Sequence, residues 1–206
     1  MLTDPDVFSD DYRPRQLLHR DGEQEQLARA LDPALDGNRA DDVLLHGPQG
    51  VGKTVLTRHI LRRLDRRAGI QSVTCQCLGE TTAGIVRQAL RGLGADPASN
   101  TPQEDLCLQL RDRVDEPTVV VLDEADDVPD TDALARLWDV PKISVVVICH
   151  NRQRWLSRLD DQARRRWHDG VEIGLDRYGP AELADILGPR ARQGLAPNVV
   201  ERRQLE

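Results

Sequence analysis

Aromatic residues are scarce in this chain of 206 residues, which has one Phe, two Tyr and three Trp. A core built from the sequence must therefore rest on Leu, Val, Ile and Ala. No apolar run approaches the ~20 residues that a membrane-spanning helix needs. The first twelve residues, MLTDPDVFSDDY, are acidic and lack the cationic and apolar segments of a signal peptide. We expect a soluble, cytoplasmic protein with no membrane partner.

Cysteine is also infrequent, and its four positions do not have the spacing of a disulfide framework or a zinc site. Cys75 and Cys77 alternate along an apparent strand, while Cys107 and Cys149 stand alone. A zinc site would need paired C-x2-C spacing, which CQC does not provide. We therefore expect four buried, reduced cysteines.

Lysine is nearly absent, with 2 residues against 26 arginines, and 25 aspartates accompany 10 glutamates. A GC-rich genome favours Arg and Asp codons, and a salt-rich source favours acidic surfaces that are poor in lysine. The second explanation is the stronger one, and both remain open. The net charge of −7 does not support non-specific binding to nucleic acid.

Apolar stretches that read as strands alternate with amphipathic stretches that read as helices. We predict strands at residues 43–46, 71–77 and 171–175 and in the runs TVVVLDEAD and ISVVVICHN. The pattern predicts helices at about 21–35 and 52–67, after Thr81 or Thr82, after the capping box 101–104 and from about Pro180. Continuous β-branched runs are typical of parallel strands that helices cover on both faces. The expected fold is a three-layer α/β fold with a five-stranded, mainly parallel sheet.

The stretch VLLHGPQGVGKTVLTRHI, residues 43–60, matches the phosphate-binding P-loop in sequence and in context. It follows a strand and opens a helix, so its backbone N–H groups and the helix N-terminus favour an anion. Lys53 is expected to reach the β and γ phosphates, and Thr54 to hold Mg²⁺. The predicted nucleotide-binding residues of the loop are Gly47, Pro48, Gln49, Gly50, Val51, Gly52, Lys53, Thr54 and Val55.

Two further polar sites follow the next buried strands. Asp123 ends an apolar strand and is expected to position Mg²⁺, while Glu124 is expected to orient and polarise the attacking water. Asn151 comes at the carboxyl end of the following strand, where ligands bind in open α/β sheets. Its amide is expected to contact the γ-phosphate and the water. This set predicts a hydrolase that activates water beside the γ-phosphate of a nucleotide.

The chain resembles an AAA+ ATPase, and more narrowly the archaeal replication initiators related to the origin recognition complex and cell division control proteins. The resemblance covers nearly the whole chain. It rests on the arm VFSDDYRPRQLLHRDGEQEQLARAL, the Walker A motif GPQGVGKT, the Walker B motif VVVLDEAD, the sensor 1 strand ISVVVICHN, and the stretches LDDQARRRW and YGPAELADIL.

The resemblance implies roles for residues outside these motifs. Arg166 best matches the arginine finger that such a protein offers to a neighbouring subunit, although the family's L-D-P-R reads LDDQ here. The family's adenine contacts fall on Tyr12, Pro14, Arg20, Tyr178 and Ile186.

The resemblance also implies a domain organisation and partners. Residues 1–176 are expected to form the nucleotide-binding core with its N-terminal arm, and residues 177–206 the start of a helical lid. The remainder of the lid and a C-terminal winged-helix domain are expected to be missing. The implied partners are origin DNA, bound mainly by that missing domain, a replicative helicase and a neighbouring initiator subunit.

Three functions are compatible with these residues. The first is an ATP-dependent DNA replication initiator whose nucleotide state acts as a switch, with slow turnover in this fragment. The second is a non-replicative AAA+ or signalling NTPase. The third is a paralogue that binds nucleotide with little turnover.

Overall fold

The computed structural model of the chain describes residues 2–9, 16–128, 131–168 and 170–195. It divides into two compact units, Glu23–Leu175 on the one hand and Met1–Gly22 with Asp176–Glu206 on the other. The N-terminal segment thus groups with the C-terminal segment. The predicted assignment of residues 1–176 to one domain and 177–206 to another stays a prediction.

The larger unit contains one sheet of five parallel strands. The strands are β1 Val43–His46, β2 Gln71–Gln76, β3 Thr118–Asp123, β4 Ile143–Cys149 and β5 Val171–Gly174. Their order is β2-β3-β4-β1-β5, and every neighbouring pair is parallel. The carboxyl ends of β1 and β3 therefore lie on either side of the end of β4, which brings together the segments that follow these strands.

Eight α-helices occur in the described residues. They are α1 Asp21–Leu31, α2 Lys53–Ala68, α3 Thr82–Gly92, α4 Gln103–Arg113, α5 Asp132–Trp138, α6 Arg152–Arg158, α7 Asp161–His168 and α8 Pro180–Gly194. Short 3₁₀ helices form at Pro5–Phe8, Asp32–Asp36 and Ala125–Asp127. The alternation of strands and helices confirms the predicted α/β fold.

The ends of the helices follow local chemistry, with two differences from prediction. The first helix becomes 3₁₀ after Leu31, because Pro33 has no N–H for the α-helical bonding pattern. The predicted capping box at Thr101 is wrong: Pro102 occupies the N-cap position of α4, and no side chain caps it. Thr101 consequently lies one residue too early to cap the helix. Thr81 caps α3 by accepting a hydrogen bond from the Gly84 N–H.

Aliphatic side chains dominate the core, as predicted, and the three tryptophans join them. Trp155 is fully buried, and the rings of Trp138 and Trp167 lie 6.0 Å apart. All four cysteines are free; Cys75, Cys77 and Cys149 are buried, whereas Cys107 is half-buried. Burial raises the pKa of Cys75 to about 12 and that of Cys149 to about 12. Within the described residues, no helix has the length and apolarity that crossing a bilayer requires.

Candidate active site

The glycine-rich loop between β1 and α2 requires glycine at particular positions. Gly47 (φ 149°) and Gly52 (φ 90°) adopt backbone angles that residues with a side chain rarely adopt. A Cβ added at Gly47 would lie 2.2 Å from the carbonyl oxygen of Leu175. Gly52 is the N-cap residue of α2, so the loop leads directly into the helix N-terminus. The free N–H groups and the dipole at this end of the helix favour an anion.

Lys53, the first residue of α2, is held inside this loop. Its Nζ donates hydrogen bonds to the carbonyl oxygens of Gly47 (2.7 Å) and Pro48 (2.8 Å), and the residue is 7% exposed. Burial lowers the pKa of Lys53, while the nearby acidic side chains Asp126 and Asp123 oppose this change. Backbone carbonyl groups of the loop therefore hold the amino group of Lys53 in place.

The next residue, Thr54, is joined to the end of β3. Its hydroxyl donates to the carboxylate of Asp123, at 3.1 Å from Oδ1 and 3.0 Å from Oδ2. Asp123 is 5% exposed and also accepts a hydrogen bond from the Glu124 N–H. A hydroxyl and a carboxylate from distant parts of the chain thus lie side by side, and both are oxygen donors that suit Mg²⁺.

Glu124 adopts a conformation that is unusual for a residue with a side chain. Its φ of 56° lies in the left-handed region, at a cost of roughly 1–2 kcal/mol. Such outliers are concentrated at functional sites. The turn ends β3 and starts the 3₁₀ helix Ala125–Asp127, and it places the half-buried Glu124 immediately beside Asp123.

These groups line one cavity of about 280 Å³. Its walls combine the glycine-rich loop, the acidic pair and the end of β4, and the lining residues are Gln49, Gly50, Gly52, Lys53, Thr54, Val55, Asp123, Glu124, Ile148, Cys149 and His150. Three predicted loop residues are not part of this lining. Gly47 and Pro48 contribute carbonyl oxygens to Lys53 instead, and Val51 is buried.

The end of β4 presents a residue that the sequence motifs did not single out. His150 lines the cavity, whereas Asn151 does not and instead forms the N-cap of α6, where its Oδ1 accepts a hydrogen bond from the Arg154 N–H. Asp126 contacts both residues. A contact between residues 24 positions apart leaves no periodic pattern in the sequence. The catalytic role of Asn151 stays a prediction.

The predicted adenine contacts that the structure describes belong to the smaller unit. Arg20 Nε donates to the Tyr178 hydroxyl at 3.0 Å, and its guanidinium lies 4.0 Å from the centre of the tyrosine ring. Ile186 is half-buried on α8. Tyr12 and Pro14 lie outside the described residues. The assignment of all five to adenine stays a prediction.

Arg166 on α7 is engaged within its own chain. Its guanidinium lies 4.7 Å from the centre of the Trp138 ring, and its Nε lies 3.7 Å from Asp42 Oδ2. Burial lowers the pKa of Arg166, and the Asp42 carboxylate opposes this change. To act on a neighbouring subunit, Arg166 would have to leave both contacts. Its role as an arginine finger stays a prediction.

Comparison with known proteins gives consistent results. Residues 16–148 match the AAA ATPase domain model. The chain is 30% identical to ORC1-type DNA replication protein 1 of Halobacterium salinarum, over 100% of this chain and 68% of that protein. It is 28% identical to ORC1-type DNA replication protein 9 of the same organism, over 100% of this chain and 60% of that protein.

Solved structures agree with the sequence matches. The structure of the Aeropyrum pernix ORC1 protein in complex with DNA is similar, with a TM-score of 0.84 and 28% identity over 97% of this chain and 56% of that one. The fold also matches CDC6P from Pyrobaculum aerophilum, with a TM-score of 0.83 and 24% identity over 100% of this chain and 57% of that one. The chain thus spans between half and two thirds of most of these proteins.

Proposed function

Because this chain belongs to the AAA ATPase family and, within it, to the ORC1-type DNA replication proteins, we propose that it is the ATP-hydrolysing switch module of a replication initiator. The observation that carries the ATPase assignment is the cavity at the carboxyl edge of the sheet. There Lys53, the Thr54–Asp123 pair and Glu124 line one space. This combination provides a cation for phosphate, oxygen ligands for a metal ion and a carboxylate for water.

Phosphate binding is assigned to the loop and the start of α2. The backbone N–H groups from Gly50 to Thr54 and the dipole of α2 favour the negative charge of the phosphates. Lys53 adds a full positive charge at the same place. Two carbonyl hydrogen bonds hold this lysine in the loop, so little side-chain entropy is lost when an anion binds.

A magnesium ion fits beside Thr54 and Asp123, whose oxygens are the hard ligands that it prefers. When bound, the ion neutralises negative charge on the phosphate oxygens. Among the described residues, no group of three or more His, Cys, Asp or Glu side chains could hold a metal ion. We therefore propose that the nucleotide and water complete the set of ligands.

Hydrolysis is assigned to Glu124. Its carboxylate accepts a proton from the attacking water while the water oxygen bonds to the γ-phosphorus and the bond to ADP breaks. The neighbouring Asp123 is occupied by the Thr54 hydroxyl and the Glu124 N–H, which leaves Glu124 as the carboxylate that serves the water. The two adjacent acids thus have separate roles.

The proposed activity is tested by release of inorganic phosphate from ATP. We expect slow turnover by this chain that requires Mg²⁺ and stops when EDTA is added, since the phosphate charge is then no longer neutralised. Restoring Mg²⁺ should restore the rate. Release that continues at the same rate in EDTA would contradict the assignment of Thr54 and Asp123.

The replication role is proposed from the family alone. The A. pernix relative was solved as an ORC1 protein in complex with DNA. We propose origin DNA, a replicative helicase and a neighbouring initiator subunit as partners of the whole protein. In this scheme α7 offers Arg166 to the neighbour's nucleotide, which requires the guanidinium to leave Trp138 and Asp42.

Duplex DNA should bind weakly to this chain. The segment 80–101 offers two arginines as phosphate ligands, and Arg87 already donates to the carbonyl oxygens of Ser99 and Thr101. The net charge is −7. We expect a dissociation constant in the non-specific range, about 10⁻⁴–10⁻⁶ M at physiological salt, measured by fluorescence anisotropy in a salt titration. Sequence-specific binding in the nanomolar range would contradict this expectation.

A further inference from the structure

Asp126 makes contacts that none of the roles above uses. It lies three residues after Asp123, is 9% exposed, and points to the end of β4. Its Oδ2 accepts a hydrogen bond from the backbone N–H of His150 and lies 2.9 Å from Nδ1 of the imidazole. Its Oδ1 accepts a longer one, 3.4 Å, from the Asn151 N–H. The carboxylate is thus surrounded by donors from one short segment.

A second contact joins the same two segments. Arg158 on α6 donates a hydrogen bond to the backbone carbonyl oxygen of Asp126. The turn after β3, which carries Glu124, is therefore joined to the segment after β4 through both the side chain and the backbone of Asp126. Breaking such buried, charge-assisted hydrogen bonds costs more than breaking neutral ones.

The imidazole of His150 is consequently fixed at one nitrogen and open at the other. In a neutral ring, a carboxylate beside Nδ1 favours the tautomer that carries its proton on Nδ1, and Nε2 is then an acceptor. In the part of the chain that the structure describes, Nε2 makes no hydrogen bond, and the ring lines the cavity together with Lys53 and Glu124. Phosphate oxygens are acceptors too, so the matching ligand for Nε2 is a water molecule.

We propose that His150 is a catalytic residue and Asp126 a positioning residue of the ATP hydrolysis proposed above, on which this inference rests. His150 Nε2 accepts one hydrogen bond from the attacking water and Glu124 accepts the other. A water molecule held by two acceptors presents its oxygen lone pair to the γ-phosphorus. Asp126 contributes by holding the ring in the required tautomer and orientation.

Two substitutions of His150 separate the two ring nitrogens. The amide nitrogen of Asn lies where Nδ1 lies, so His150→Asn keeps a donor for Asp126 but has no acceptor at the position of Nε2. Gln reaches the position of Nε2 but not that of Nδ1. We expect His150→Asn to lower kcat about 10- to 100-fold, with KM and ADP affinity within about 2-fold of the parental values. His150→Gln should retain more of kcat than His150→Asn.

Asp126→Asn tests the positioning role. We expect a loss of kcat comparable to that of His150→Asn, and no further loss when the two are combined, because both disable the same water contact. Parental kcat in both single variants would overturn the proposal. The proposal would also be overturned if these variants lost ATP and ADP affinity equally while kcat stayed unchanged. The contacts of Asp126 and His150 would then have only a structural role.

Glu124→Gln, measured in parallel, separates this proposal from the one on which it rests. If Glu124→Gln stops turnover while Asp126→Asn and His150→Asn retain parental kcat, the ATPase assignment stands and the His150–Asp126 role fails. If the parental protein releases no phosphate from Mg·ATP, the proposed function fails and this inference fails with it.

Discussion

Lys53→Ala is expected to weaken ATP binding by about 10- to 150-fold. A charged hydrogen-bonding group contributes about 1.5–3 kcal/mol, and each 1.4 kcal/mol corresponds to a factor of ten in affinity. Lys53 is buried in the loop and held there by the Gly47 and Pro48 carbonyls, so no other lysine can take its place. Titration with a fluorescent ATP analogue measures the change.

Lys142 provides a matched control because it is the chain's second and last lysine. It is exposed and lies just before the amino end of β4, whereas the cavity lies at the carboxyl ends of the strands. It donates a hydrogen bond to the Asp115 carbonyl oxygen. Lys142→Ala should bind the analogue as the parental protein does. An affinity within about 3-fold of parental for Lys53→Ala would contradict the phosphate-binding role assigned to the loop.

Glu124→Gln is expected to leave ATP binding intact and to lower turnover about 100-fold or more. General base catalysis contributes typically about 10²–10⁴ in rate, and the amide cannot accept the proton. Gln keeps the size of the side chain, so the left-handed turn at this residue is under the same strain in both proteins. Binding and phosphate release, measured on the same preparation, separate the two effects.

The control for this substitution is Glu104→Gln. Glu104 is 71% exposed and pairs with Arg136 on the surface. Glu104→Gln should change neither ATP binding nor turnover, since exposed ion pairs contribute little to stability. Parental turnover in Glu124→Gln would show that another group activates the water and would remove the assigned role.

The sheet was predictable because its signals are local. Runs of buried β-branched residues mark β3 and β4, and the structure gives them the bounds 118–123 and 143–149. The P-loop was recognisable for the same reason: its glycines, lysine and threonine all fall within the eight residues 47–54. The wrong prediction of a capping box at Thr101 also has a local cause. The sequence matches the motif, but the N-cap residue of α4 is Pro102, so Thr101 lies one position outside the cap.

The site was predictable as far as its motifs reach. Lys53, Thr54, Asp123 and Glu124 line the cavity because the loop after β1 and the end of β3 lie at the same edge of the parallel sheet. Asp126 and His150 were not singled out, because their contact depends on how the segments after two strands pack side by side. An aspartate or a histidine just after a strand does not by itself indicate a functional role. The contacts of Arg166 with Trp138 and Asp42 could not be predicted either, because they also depend on how distant segments pack.

Calorimetric titration with Mg·ATP tests the central claim most directly, in dilute buffer and again in concentrated salt because of the lysine-poor, acidic composition. We expect saturable heat with a stoichiometry of about one nucleotide per chain, since one P-loop is present. At 100 times the dissociation constant, binding should stabilise the fold by about 2.7 kcal/mol, which raises Tm by roughly 5–10 °C. The absence of both heat and thermal protection in both solutions would show that no triphosphate binds to the glycine-rich loop.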